Sequence, residues 1–239
     1  MKLALLTAGT FLLAFSAQAA ILDYDFAAGG GTDVGSTFGN MRTFTTGGIT
    51  VTVTAFSLTA NSDTTFQTSN LGLWTGYGLG ACNQNEGSNC ASPTHQVSNE
   101  NGTDFVLFQF SAPVTFTGVN IQPYGTYDRD ATYFVGNTAS NLNLTGDTLA
   151  SLTALGFGSE VNDPSTVSSQ QRTVTITGST GNSLLFGASM VNDGSIDYFK
   201  IADLDVNTIN TSSVPEPATF GLIGAALLGL AAMGKRIRS

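Results

Sequence analysis

An all-β fold, an antiparallel jelly-roll-like β-sandwich, is what the sequence predicts for residues 20–206, with an N-terminal signal peptide before it and a C-terminal transmembrane helix after it. Three observations carry that prediction. Short stretches alternate apolar residues with threonine, glycine and asparagine punctuate them, and only one stretch of the body has helical spacing.

The first 19 residues read as a secretory signal peptide. Lys2 supplies the positive start, residues 3–15 are mainly apolar, and Ala17-Gln18-Ala19 is a small-residue cleavage site. The mature chain is expected to begin at Ala20, and its body to meet an oxidising compartment. Residues 20–213 number 194, enough for one sandwich with its own core. They carry 4 basic against 16 acidic residues, a net charge of −12, which repels nucleic acid and excludes it as a partner.

Ile49-Thr50-Val51-Thr52-Val53-Thr54 and Val174-Thr175-Ile176-Thr177 each read as a half-buried strand. Residues 105–110 (FVLFQF) are almost continuously apolar, so a central strand covered on both faces is expected. Val114 and Phe116 share one face, but Val119 and Ile121 are out of phase with them. Gly118 sits at the slip, and a β-bulge is predicted there. Further strands are predicted over 22–26, 131–136, 184–189, 198–201 and 204–206. Residues 148–155 have helical spacing, with Asp147 as N-cap.

Residues 71–104 read as a long irregular loop, of the kind that is functional or stapled. They hold Trp74, His95, Cys82, Cys90, Glu86 and Glu100. In an exported chain the pair Cys82 and Cys90 points to a disulfide, worth roughly 2–3 kcal/mol for so short a loop. Zinc would need a fourth strong ligand beyond two cysteines and His95. Trp74 and Tyr77 are candidates for sugar stacking, against the plainer role of packing beside a glycine-rich turn. No G-x-S-x-G elbow accompanies His95. Glu86, Glu100 and Glu160 have no spacing that marks a glycosidase pair. No catalytic residue is assigned, and the chain is expected not to be an enzyme.

No cofactor is required by any motif; calcium is the candidate. Asp23 and Asp25 lie on the first strand and Asp203 and Asp205 on the last, and pairing of terminal strands would gather their oxygens. Asp193 and Asp197 form a second acidic turn around Gly194.

Residues 207–213 (NTINTSS) read as a linker, and residues 214–239 as a tail of three parts. Pro215-Glu216-Pro217 is a rigid extended tripeptide. Residues 218–233 are 16 uncharged residues, forming the predicted transmembrane helix. Such a helix is about 24 Å long, short of the ~30 Å hydrocarbon core, and snorkelling cations offset the deficit. Lys235, Arg236 and Arg238 form a basic end that the positive-inside rule places in the cytoplasm.

In this order of parts the tail resembles the PEP-CTERM sorting signal. The resemblance implies recognition of Pro215, Glu216 and Pro217 by an exosortase, a transpeptidase of the bacterial inner membrane that processes proteins near the tripeptide. It also implies a Gram-negative source that makes exopolysaccharide. A second stretch is similar to exosortase-dependent surface proteins: Gly78-Leu79-Gly80-Ala81-Cys82, Cys90, Pro93-Thr94-His95-Gln96-Val97, the strand from Asp104 to Phe110, and the Tyr127-Asp128-Arg129-Asp130 turn. That family implies no activity. The expected function is therefore that of an exported, non-enzymatic surface or extracellular-matrix protein. Its partners are an exosortase, the inner membrane before processing, and exopolysaccharide. A carbohydrate-binding module is the alternative, and a secreted glycan-active enzyme the second.

Overall fold

The computed structural model describes residues 19–34, 38–87, 95–166 and 169–209. In chain order the strands are β1 (Ile21–Asp25), β2 (Thr32–Val34), β3 (Met41–Thr46), β4 (Ile49–Leu58), β5 (Phe66–Thr68), β6 (Asn70–Trp74) and β7 (Gly78–Cys82). After them come β8 (Val97–Ser98), β9 (Asp104–Pro123), β10 (Ala131–Gly136), β11 (Val161–Asp163), β12 (Arg172–Thr175), β13 (Thr180–Ala188) and β14 (Tyr198–Thr208). The all-β, antiparallel class stands as predicted. The separate sheets expected of a jelly roll do not: the strands join into one continuous sheet.

The join is β9, 20 residues long. Its first half lies between β4, with Val53 opposite Phe108, and β13, with Leu184 opposite Phe108. Its second half lies between β12, with Val174 opposite Val119, and β14, with Leu204 opposite Val119. Both halves turn apolar side chains into a shared core, where Val106, Phe108 and Phe110 meet Phe116, Val119 and Ile121. Phe110 and Phe116 touch edge to face across the bend, 5.5 Å apart.

The phase slip in β9 is a bulge. Phe116 pairs with Val206 but Gly118 pairs with Asp205, so Thr117 is the extra residue, one place before the expected glycine. Its hydroxyl donates to the Asp205 carbonyl at 2.9 Å. The inserted residue returns Val119 and Ile121 to the inner face that Val114 and Phe116 already occupy. A second shift leaves Ala202 extra on β14.

The other face of the first half is also covered, as its unbroken apolar run predicts. Phe105 and Leu107 pack with Phe56, Phe134 and Leu185 beneath Leu144, Leu152 and Phe157. The segment that supplies this cover is not the predicted helix over 148–155. Only Leu149–Ser151 form a 3-10 turn, with Thr148 rather than Asp147 at its start. Gly156 at φ +101° approaches the Asn137 carbonyl too closely for any side chain, which ends the turn in an extended crossing.

Residues 71–104 are more regular than predicted. β6 and β7 form a hairpin over 70–82, with Trp74 opposite Gly78. A 3-10 turn, Gln84–Glu86, follows, capped reciprocally by Asn83 and Glu86. At the far end, Asn207 and Thr208 belong to β14 rather than to a linker. Thr208 N donates to the Ala20 carbonyl at 2.9 Å, and Ala20 N donates to the Thr208 hydroxyl at 3.0 Å. The body therefore begins and ends side by side.

Candidate functional site

The sorting residues Pro215, Glu216, Pro217, Lys235, Arg236 and Arg238, the 218–233 segment, residues 1–18 of the signal peptide and Cys90 lie outside the described residues. The candidates on the body fall on β14 and its neighbours.

At the β1 side, strand pairing does what the sequence anticipates. Asp23 stands opposite Asp205 and Asp25 opposite Asp203. Carboxylate oxygens of Asp23, Asp203 and Asp205 lie within 4.8 Å of one another. Burial, then the charges of Asp205, Asp23 and Asp25, push the Asp203 carboxyl up to about 6, although the Asn120 amide donates to it. Asp25 instead accepts from Ala28 N at 2.8 Å, closing the turn after β1. Alternation along β1 puts these carboxylates outside while Leu22 and Tyr24 fill the core.

At the other end of β14, Lys200 is buried under the β6–β7 hairpin, 4% exposed. Its Nζ sits 3.5 Å from the Trp74 ring centroid and donates to the His95 carbonyl at 2.6 Å. The ring of His95 stacks on Trp74 at 4.6 Å. Lys200 Nζ at 2.7 Å and Gln96 Nε2 at 3.0 Å both lie within hydrogen-bond distance of His95 Nδ1. Burial pushes the Lys200 amine down to about 7, and burial together with that amine holds His95 below its ordinary value. Gly80 makes this possible. A β-carbon there would stand 2.0 Å from the His95 carbonyl and 2.7 Å from Lys200 Nζ. Thus Trp74 is engaged by a histidine and a lysine, whereas Tyr77 at the hairpin turn is 60% exposed.

Behind the hairpin, Cys82 is buried at the end of β7, its Sγ 3.4 Å from the Gly87 carbonyl. Beside it, Asp104 is fully buried and accepts from Ser98 N at 3.1 Å and Asn83 Nδ2 at 3.3 Å. Burial, reinforced by the Glu86 charge, pushes the Asp104 carboxyl well above the usual range. Burial likewise raises Glu86 to about 7. Glu100 accepts from the Tyr198 hydroxyl. Glu160 is placed elsewhere, accepting from Asn162 Nδ2 at 2.7 Å beside β11.

A third group went unread in the sequence. Oxygens of Asp128, Asp130 and Asp197 come within 4.8 Å of one another. Asp197 accepts from Asn99 Nδ2 at 2.7 Å and Asp130 N at 2.8 Å, and burial raises its carboxyl to about 7. The sequence pairs Asp197 with Asp193; the structure parts their roles, since Asp193 accepts from Ser195 N at 2.8 Å within its own turn. The short-range signal was the Asp128-Arg129-Asp130 run, but its partner is 67 residues away. Beside the trio, Thr126, Tyr127, Asp128, Thr166, Ser195 and Ile196 line an open cleft of about 340 Å³.

No curated protein and no solved structure matches the chain. Residues 213–236 match the PEP-CTERM protein-sorting motif. That motif implies exosortase-dependent sorting, with an exosortase as processing partner, and so export and a cell-surface destination. The chain thus carries a PEP-CTERM protein-sorting motif over residues 213–236.

Proposed function

We propose that the body is the non-enzymatic cargo of this signal, a surface or matrix protein released from its tail near Pro215-Glu216-Pro217 and associating with exopolysaccharide outside the cell. The matched motif at 213–236 carries the reading. The adjacency of Ala20 and Thr208 supports it, because the described body begins and ends side by side and its paired strands lie wholly between the two cuts. Residues 218–233 would hold the precursor in the inner membrane, with Lys235, Arg236 and Arg238 in the cytoplasm. Intact mass of the protein recovered from envelope and medium tests this. The expected species starts at Ala20, ends near Pro217, and gains two hydrogens on reduction as the Cys82–Cys90 bond opens. A species retaining the tail through Ser239 would overturn the processing.

The Asp23, Asp203 and Asp205 oxygens favour one cofactor, calcium, whose charge would offset the burial and the lesser repulsion that raise Asp203. Millimolar calcium is expected to raise the melting temperature of the wild type and not of Asp205→Asn. Equal melting curves with calcium and with chelator would remove the ion from the account.

Carbohydrate binding is the second reading, favoured by the exposed Tyr77 ring at the hairpin tip beside Trp74. A glycan-active enzyme would draw on Glu86, whose raised carboxyl suits a general acid, with Glu100 beside it. Reducing-sugar release lost in Glu86→Gln would favour that chemistry over the non-enzymatic reading.

A further inference from the structure

Tyr127 is the most exposed ring of a packed aromatic group, at 42%. Tyr124 stacks on it at 6.1 Å and 19°, and Tyr198 meets it edge to face at 4.6 Å. Two rings therefore fix its position while one surface stays open to solvent. Ile196, 39% exposed, is the cleft's apolar lining residue besides Tyr127, and Thr126, Thr166, Ser195 and Asp128 complete the lining. We infer that the cleft between Tyr127 and Ile196 binds a glycan, taking hexose units that are neutral or carry an amine and rejecting uronates. This rests on the surface-protein reading and locates its ligand at residues other than Trp74 and Tyr77.

The chemistry of the walls selects the class. One face of a hexose presents C–H groups and its rim presents hydroxyls, so it needs a rigid ring, an apolar wall and convergent oxygen partners, as here. The volume of about 340 Å³ suits one or two sugar rings. Charge decides between sugars. Asp128 lines the cleft, and Asp130 lies within charge range of Asp128 and Asp193; against them stand Arg129, whose charge acts on Asp128, and Arg172, which faces Asp163 and the Arg129 carbonyl. A carboxylated sugar meets repulsion and an ammonium meets attraction.

A second copy of the chain is a poorer occupant. Two side chains of apolar surface fall far short of the ~1,000 Å² that a stable interface buries, and two bodies of net charge −12 repel. The cleft lies away from the chain ends of the body. The chain leaves the sheet at the Thr208 end of β14, whereas Asp128 and Asp197 bridge at the Tyr198 end, about 33 Å along the strand. The ligand end is the one not occupied by the two chain ends of the body.

The test is calorimetric titration of the full chain, in a detergent without a sugar headgroup, with three hexamers: β-1,4-glucose, β-1,4-glucosamine and mannuronate. Binding of the first two and at least tenfold weaker binding of mannuronate is expected. Tyr127→Ala is expected to weaken binding at least tenfold, and Ile196→Arg, which fills the cleft from a second lining residue, to do the same. Ile21→Ala, an exposed apolar residue at the other end of the sheet, should leave it unchanged. Heat from none of the three, a preference for mannuronate, or loss in Tyr77→Ala with Tyr127→Ala intact each overturns the inference. Intact mass of the wild-type protein separates the two readings. Both processed ends with no glycan binding would sink the cleft alone, while a retained tail would sink the sorting account.

Discussion

Phe108→Ala is expected to cost about 4 kcal/mol of unfolding free energy, and about 10 °C of melting temperature. Phe108 is fully buried in the first half of β9 and stacks on Phe26 at 5.7 Å. Phe26 in turn packs edge to face on Phe44 at 4.9 Å, so the ring links β9 to the chain after β1 and to β3. The void left by the substitution has little means of closing. The backbone at 108 is flanked on both sides, opposite Val53 of β4 and Leu184 of β13, and so cannot move inward without disturbing two ladders. Urea unfolding of the two proteins measures the difference. A loss below about 1 kcal/mol would mean that the two halves of the sheet do not share the core.

Stability is expected to fall as pH rises from about 4 to 7, the reverse of the usual acid sensitivity. Glu86 and Asp197 are raised from 4.5 and 3.8 to about 7, Asp203 to about 6, and Asp104 well above its ordinary value, all chiefly by burial. A raised carboxyl holds its proton more tightly folded than unfolded. Its stabilisation is complete below the unfolded value and is lost as pH climbs through the folded one. Lys200 acts in the opposite sense. Lowered from 10.5 to about 7, it adds stability only as pH rises beyond that value. Carboxylate loss below pH 7 and lysine gain above it place the minimum near neutrality. Melting temperature is expected to be about 5–10 °C higher at pH 4.5 than at pH 7.5. Asp197→Asn, which keeps the shape and removes the charge, should raise the value at pH 7.5 and flatten the slope. A melting temperature that rises from pH 4.5 to 7.5 would refute the burial argument.

Strands were legible where one face is buried, because burial on one face writes a period of two. Ile49-Thr50-Val51-Thr52-Val53-Thr54 became the start of β4, and 131–136 became β10 with the predicted bounds. The slip near Gly118 was legible for the same reason, since four core residues keep one face only if one residue is inserted. The β6–β7 hairpin was not. Its Gly72 lies under the Trp74 ring and its Gly80 under His95, so both glycines are there for close approach, and glycine erases the alternation that would have marked the strands. Leu149, Leu152 and Leu155 have helical spacing because they cover a sheet face, and a 3-10 turn followed by a glycine reversal serves that as well as a helix.

By itself the sequence determined the all-β class, the central strand covered on both faces, and the order of parts in the sorting tail, because each is written in contiguous residues. It even placed Asp23 and Asp25 against Asp203 and Asp205, since terminal strands pair. Only the tertiary structure decided that Lys200 is buried against Trp74 and His95, and that Asp197 joins Asp128 and Asp130 beside an open tyrosine. A buried charge depends on what covers it, and here the cover comes from strands and turns about 70 to 130 residues distant in the chain. No local pattern encodes that meeting; the register of β14, set by its ladder to β9, does.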